Sequence, residues 1–216
     1  MLKNNKFIFR KFADNENPFS KSAILRRKRF EMFLDLFHVN SDSKILDVGG
    51  TEAIWLGTGL EKQVTLFNIA FKGEQINTFN YVIGNACEMN FSDKEFDIIF
   101  SNSVIEHVGT FEKQKQFAKE INRVGKLYWI QTPYKHFPIE PHFLFPFFQY
   151  FTPNIQRIIG TRWKYSHLMR NGEDILDELK RLRLMNKKEM KLLFPNAEII
   201  EEKFRGLTKS LIAVKK

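Results

Sequence analysis

Two short stretches of this 216-residue chain concentrate side chains able to move a proton. Glu106-His107 follows the apolar run Phe96-Asp-Ile-Ile-Phe100, and His136-Phe-Pro-Ile-Glu140-Pro-His142 follows Lys126-Leu-Tyr-Trp-Ile-Gln131. Imidazole titrates near pH 6.5, so His107 is the first candidate for a general base at neutral pH. His142 and Glu140, in a loop stiffened by Pro138 and Pro141, are the second. The non-catalytic readings are a helix-start histidine bonded to backbone and a loop whose polar groups only cap helices. A Glu-x-His pair could contribute to a metal site, yet no third ligand stands at a recognisable spacing, so no metal is expected. His38 and His167 have no motif around them and read as structural or surface residues.

A third stretch, Asp47-Val-Gly-Gly-Thr-Glu-Ala53, would bring bare backbone against a ligand, because a glycine pair after a strand lets the chain approach closely. A plain tight turn is the alternative. Asn68 lies nineteen positions after Gly49, at the end of a second apolar run, where nucleotide-binding sheets commonly place a ribose-binding side chain.

Positioning these residues requires a sheet. Short apolar runs at residues 43–48, 63–69, 81–83, 96–100 and 126–131 alternate with helical or turn segments, including residues 111–124 with Phe111, Phe117, Ile121 and Val124 at helical spacing. That alternation indicates an α/β domain with a mainly parallel sheet. Residues 197–203 and 208–214 are joined too closely for a parallel crossover and must pair antiparallel. Just before them, Asn186-Lys-Lys-Glu189 has the form of a capping box, opening a helix through Leu193. Residues 132–185 interrupt the alternation, rich in Pro and Phe early and helical over 172–184, and read as an insertion capping the carboxyl ends of the strands.

Composition narrows the class. With 43% hydrophobic residues and 23 Phe the chain can bury a core, and its single cysteine, Cys87, forms no intrachain disulfide, which suits a reducing cytoplasm. The N-terminal residues lack the apolar run of an export signal, and the greasiest stretch, residues 143–151, is too short to span a membrane. The net charge of +9 is uneven: residues 1–30 carry +7, residues 31–159 carry −4 and residues 160–216 carry +6. A nucleic-acid groove in the middle is therefore not expected. Apolar positions 24, 25, 30, 33, 34 and 37 define one face of a basic N-terminal helix, whose Arg26-Arg27-Lys28-Arg29 cluster is either a solvated face or a contact for an anionic ligand or membrane surface.

The run from Gly84-Asn-Ala-Cys through Phe96-Asp to Glu106-His107-Val108 resembles class I S-adenosylmethionine-dependent methyltransferases of the small-molecule (type 11) group, in which Gly-Asp-Ala, Phe-Asp and Glu-His occur in this order. The likeness spans roughly residues 43–140, and the tail, residues 194–214, is similar to that fold's closing antiparallel strands. It implies a Rossmann-like, doubly wound seven-stranded α/β sheet, mostly parallel with one antiparallel strand. It also implies a single methyltransferase domain over 1–216, with a basic helical extension at 1–40 and the cap insertion at 132–185. The implied cofactor is S-adenosylmethionine. The resemblance assigns Asp47, Gly49 and Gly50 to its methionine portion, Asn68 to the ribose, Asn85 and Ala86 to the adenine, and Ser101 and Asn102 to the methyl-donor pocket. Thr51 and Ala53 replace two of the family's glycines, and Asn68 and Asn85 replace acids, which removes charge-assisted hydrogen bonds.

Methyl transfer needs positioning, and a base where the nucleophile is a hydroxyl; His107, His142 and Glu140 are the candidates. The expected activity is transfer to a small-molecule or glycan- or lipid-linked acceptor, at oxygen, with peripheral contact to an anionic membrane. A non-catalytic cofactor-binding or scaffold protein of the same fold and an RNA methyltransferase are the alternatives.

Overall fold

The computed structural model describes residues 20–71, 73–163 and 175–216. His167 and the N-terminal residues to Phe19 lie outside the described residues. The chain divides after Ser41 into two compact units. The first contains α1 (Lys21–Phe37), which Ser20 caps by accepting the Ala23 N–H on its hydroxyl at 3.1 Å. The helix ends at His38, whose left-handed backbone turns the chain out. Phe30, Phe33 and Phe37 stack along it, with ring centroids 6.1 and 5.4 Å apart.

The second unit, Asp42–Lys216, is built on one seven-stranded sheet. Its long strands are β1 (Ile45–Val48), β2 (Val64–Asn68), β3 (Asn80–Ile83), β4 (Phe96–Asn102), β5 (Gly125–Pro133), β8 (Glu198–Phe204) and β9 (Leu207–Lys215). They lie in the order β3-β2-β1-β4-β5-β9-β8, and β9 is the one strand that runs opposite to the rest, pairing antiparallel with β5 and β8. The order reverses between β1 and β4, and open α/β sheets place ligands at the carboxyl ends of the strands flanking such a point. All four residues of β1 are buried, as sheets covered on both faces require.

The crossovers are uneven. Between β4 and β5 runs α2 (Phe111–Val124), capped by the Thr110 hydroxyl, with Phe117, Ala118, Ile121 and Val124 buried against the sheet. Between β1 and β2 there is no α-helix, only two short 3-10 turns, Glu52–Ile54 and Glu61–Gln63. Gly57 and Gly59, both at φ of +77°, break any helical run there. Trp55 fills the space instead, fully buried, with its edge on Phe100.

After β5 the chain leaves the sheet and comes back to the same place: Tyr134 bridges Met185, and the Lys135 N–H donates to the Met185 carbonyl at 3.0 Å. The excursion contains a two-residue hairpin, β6 (Ile139–Glu140) with β7 (Phe145–Pro146), then α3 (Pro153–Arg162) and α4 (Ile175–Arg181). It has its own apolar cluster of Phe143, Phe148 and Ile175, the two phenyl rings stacked at 4.0 Å. The helix expected over 172–184 ends at Arg181, and residues 172–174 are outside the described residues. Last comes α5 (Lys187–Leu193), closed at its start by the reciprocal Asn186–Glu189 capping box.

Candidate functional site

At the switch point the loop after β1 is held from three sides. The Gly49 N–H donates to the Phe67 carbonyl at 2.7 Å, and the Ser101 hydroxyl at the end of β4 donates to the Val48 carbonyl at 3.0 Å. Asn68 at the end of β2 donates its amide to the Gly50 carbonyl at 3.3 Å and accepts the Ile69 N–H at 2.8 Å. One end of that amide thus holds the loop after β1 and the other its own backbone. Glycine is required twice. Gly49 sits at φ +77°, and a Cβ there would lie 2.3 Å from a Val104 methyl, while a Cβ at Gly50 would lie 2.0 Å from the Asp47 carboxylate. Neither contact is sterically possible without displacement.

Asp47 is buried and accepts the Trp55 indole N–H at 2.6 Å. Burial disfavours its charge more than that hydrogen bond restores it, so its pKa is raised to about 7. Asn85 follows β3 and turns its side chain onto the Cys87 N–H at 2.9 Å, while Ala86 packs half-buried on the core. Asn102 ends β4 half-buried, in register with Gln131.

The second site begins three residues beyond the valine that covers Gly49. The chain turns at Ser103, φ +59°, and the His107 N–H closes a 3-10 turn on the Val104 carbonyl at 2.8 Å. His107, His142 and Glu140 then come together. His142 Nδ1 faces Glu140 Oε1 at 2.5 Å, His142 Nε2 faces His107 Nε2 at 3.1 Å, and His107 Nδ1 faces Glu178 Oε1 at 2.5 Å. The result is a carboxylate, two imidazoles and a carboxylate in line, drawn from β6, the loop after it, the turn after β4 and α4.

A third carboxylate closes the cluster. Glu106 is fully buried; its Oε2 accepts the Thr132 hydroxyl at 2.9 Å, and its Oε1 has no hydrogen-bond partner among the described residues and lies 3.9 Å from His107 Nε2. Burial opposes protonation of His142, but the charges of Glu140, Glu106 and Glu178 outweigh it and lift the pKa to about 9. Burial likewise pushes Glu178 up, and the His107 contact more than reverses it, leaving that carboxyl below its ordinary value.

Backbone and side-chain bonds lock these pieces together. Gln114 on α2 donates to the carbonyls of Ile105 and Arg183, the Arg183 N–H donates to the Glu106 carbonyl at 2.7 Å, and the Arg183 guanidinium returns to Gln114 at 2.6 Å. Glu178, Thr132, Gln114 and Arg183 stand in no recognisable motif. Glu178 lies 71 residues from its partner, in a charged stretch that reads as a solvated helix face, and only the fold brings it in.

A family model described as a methyltransferase domain matches residues 54–127. No curated protein matches the chain. Among solved structures, a protein of Pyrococcus horikoshii is similar at 16% identity, covering 99% of this chain and 98% of its own, with a TM-score of 0.53. The YcgJ protein of Bacillus subtilis is similar at 14% identity, over 82% and 70% of the two chains, with a TM-score of 0.50. A protein of Methanosarcina mazei described as a SAM-dependent methyltransferase is 17% identical over 84% and 96%, with a TM-score of 0.49. The first two likenesses concern the fold.

Proposed function

We propose that this chain, a class I S-adenosylmethionine-dependent methyltransferase, methylates an oxygen of a small-molecule or glycan- or lipid-linked acceptor, whose hydroxyl loses its proton at the Glu106–His107–His142 cluster. The observation that carries this reading is the pair of Nε2 atoms 3.1 Å apart, each imidazole anchored through Nδ1 by a buried or mostly buried carboxylate. Such anchoring fixes ring orientation and tautomer, which a proton-transfer group needs. The cofactor supplies an electrophilic methyl group on a positively charged sulfur.

The crevice residues suit that cofactor. Gly49 and Gly50 present bare backbone, and Asp47 is a buried carboxyl beside them. We assign Asp47, Gly49 and Gly50 to the methionine end, Asn68 to the ribose, Asn85 and Ala86 to the adenine, and Ser101 and Asn102 to the floor of the methyl-donor pocket. The ammonium of the methionine end favours the ionised form of Asp47. Without cofactor the raised pKa means that Asp47 adds stability that is full below its ordinary pKa and lost as pH rises through about 7. Cofactor binding is therefore expected to release a proton below pH 7, and affinity to increase with pH up to that point. Titration calorimetry at pH 6 in buffers of different ionisation enthalpy reads the proton directly. Asp47→Asn should abolish its release; equal heats in all buffers for the unaltered protein would refute the linkage.

The acceptor's apolar part is read from the excursion after β5, where Phe147 is 55%, Tyr150 53% and Ile158 51% exposed. Among the described residues no helix is long and apolar enough to cross a membrane. With +7 on residues 1–30 and +6 on residues 160–216, the acceptor is best an anionic, lipid-linked glycan at a membrane surface. The test is transfer of labelled methyl to hydroxyl acceptors with and without anionic vesicles across a salt series. Label in an ether product, stimulated by anionic vesicles and suppressed by salt, is expected. Transfer indifferent to vesicles and salt removes the membrane part, and label found only on nitrogen or carbon removes the oxygen assignment.

A further inference from the structure

We propose that Glu106, His107 and His142 form a binding site for a divalent transition-metal ion, so that the acceptor-activating cluster is a metal centre. This deepens the preceding reading and rests on it only for what the ion does, not for whether the ion binds.

The ligand set comes from two distant segments. One oxygen of Glu106 and one ring nitrogen from each of His107 and His142 lie within 4.8 Å of one another. The two Nε2 atoms, 3.1 Å apart, cannot face each other as two lone pairs; something positive must lie between them. Two nitrogens at that separation, each about 2.0–2.1 Å from one ion, subtend about 98°, between octahedral and tetrahedral values. Glu106 Oε1 stands 3.9 Å from His107 Nε2, beyond the roughly 2.9–3.4 Å edge of an octahedral or tetrahedral shell, so the carboxylate closes by about 0.5–1 Å when the ion enters.

Three further observations favour a metal over a proton alone. Metal-ligating histidines characteristically hand the other ring nitrogen to a carboxylate, and both do so here, His142 to Glu140 and His107 to Glu178, each at 2.5 Å. Glu106 Oε1 is a fully buried carboxylate oxygen without a hydrogen-bond donor among the described residues, a costly arrangement that a cation in front of it would relieve. Three carboxylates also surround two imidazoles, so even a doubly protonated pair leaves the cluster net negative. Two imidazoles and one carboxylate select the zinc or iron(II) class of ion over magnesium or calcium, which prefer all-oxygen shells. Three protein ligands leave a coordination position open, as in catalytic rather than structural sites. There an acceptor oxygen can bind, and an ion in that position lowers the pKa of the oxygen it holds.

The test uses the full chain, stripped with chelator and then given Zn2+, Co2+ or Mg2+ without cofactor or acceptor. The expected result is one equivalent of Zn2+ or Co2+ retained after gel filtration, none of Mg2+, and visible d–d absorption from Co2+. His142→Gln and Glu106→Gln should each lose the retained equivalent, and Glu178→Gln should weaken retention about 10–100-fold. No retention by the unaltered protein, or equal retention by His142→Gln, overturns the site. Methyl transfer that survives chelation while still requiring both histidines also overturns it, and leaves the acceptor reading standing. Should a variant fold poorly, X-ray absorption on the Co2+-loaded unaltered protein decides: two imidazole nitrogens are required in the first shell.

Discussion

Replacing His107 or His142 by Gln is expected to lower kcat by about 10²- to 10⁴-fold, the usual contribution of acid–base groups: His107 takes the proton, and His142, held protonated by the carboxylates around it, positions that ring through Nε2. Glutamine keeps a polar side chain of similar reach and removes the ring. The two histidines face each other through Nε2, so each variant should lose nearly the whole effect and the double variant little more. Neither touches the loop after β1, so the dissociation constant for S-adenosylmethionine should stay within about twofold, which separates lost chemistry from lost folding. Glu140→Gln and Glu178→Gln act through the rings and should give smaller losses. Unchanged turnover in both histidine variants would remove the cluster from the reaction.

Gly49→Ala is expected to weaken cofactor binding by about 10- to 100-fold, and for a different reason. A residue with a Cβ at φ +77° carries roughly 1–3 kcal/mol of backbone strain. The clash with Val104 at 2.3 Å adds an overpacking cost of about 1–3 kcal/mol. The loop relieves both by moving off Val104, and a tenfold change in affinity corresponds to about 1.4 kcal/mol, so half of the strain appearing in binding gives the stated range. The double variant Gly49→Ala/Val104→Ala removes the clash but not the φ strain, and should recover only part of the loss. Full recovery would mean that the backbone conformation at Gly49 is unimportant; wild-type affinity in the single variant would mean that this loop does not meet the cofactor.

Much of the architecture was legible because local signals and the global fold agree. The apolar runs became strands within about two residues of their expected bounds, and the Asn186–Glu189 capping box opens α5 where its residues announce it. The antiparallel closing pair followed from the short connection around Gly206 alone. What the sequence withheld was long-range. A Glu-x-His pair gives no hint that a second histidine stands 35 residues upstream with its Nε2 turned toward it. Glu178 reads as one more exposed acid of a charged helix, yet it is mostly buried against His107. Periodicity also suggests nothing of Trp55, which replaces a crossover helix by filling the space beside β1 and bonding Asp47. Thr51 precedes the 3-10 turn Glu52–Ile54 in extended backbone without capping it, and Ala53 lies within that turn; nothing in the structure explains the two substitutions.

Cofactor binding and methyl transfer are read together in a calorimetric titration of the unaltered chain with S-adenosylmethionine, followed in the same sample by addition of a lipid-linked hydroxyl acceptor. Stoichiometric cofactor binding that strengthens from pH 6 to 7 is expected, and then heat and labelled methyl ether appearing together on acceptor addition. No cofactor binding at millimolar concentration would contradict it.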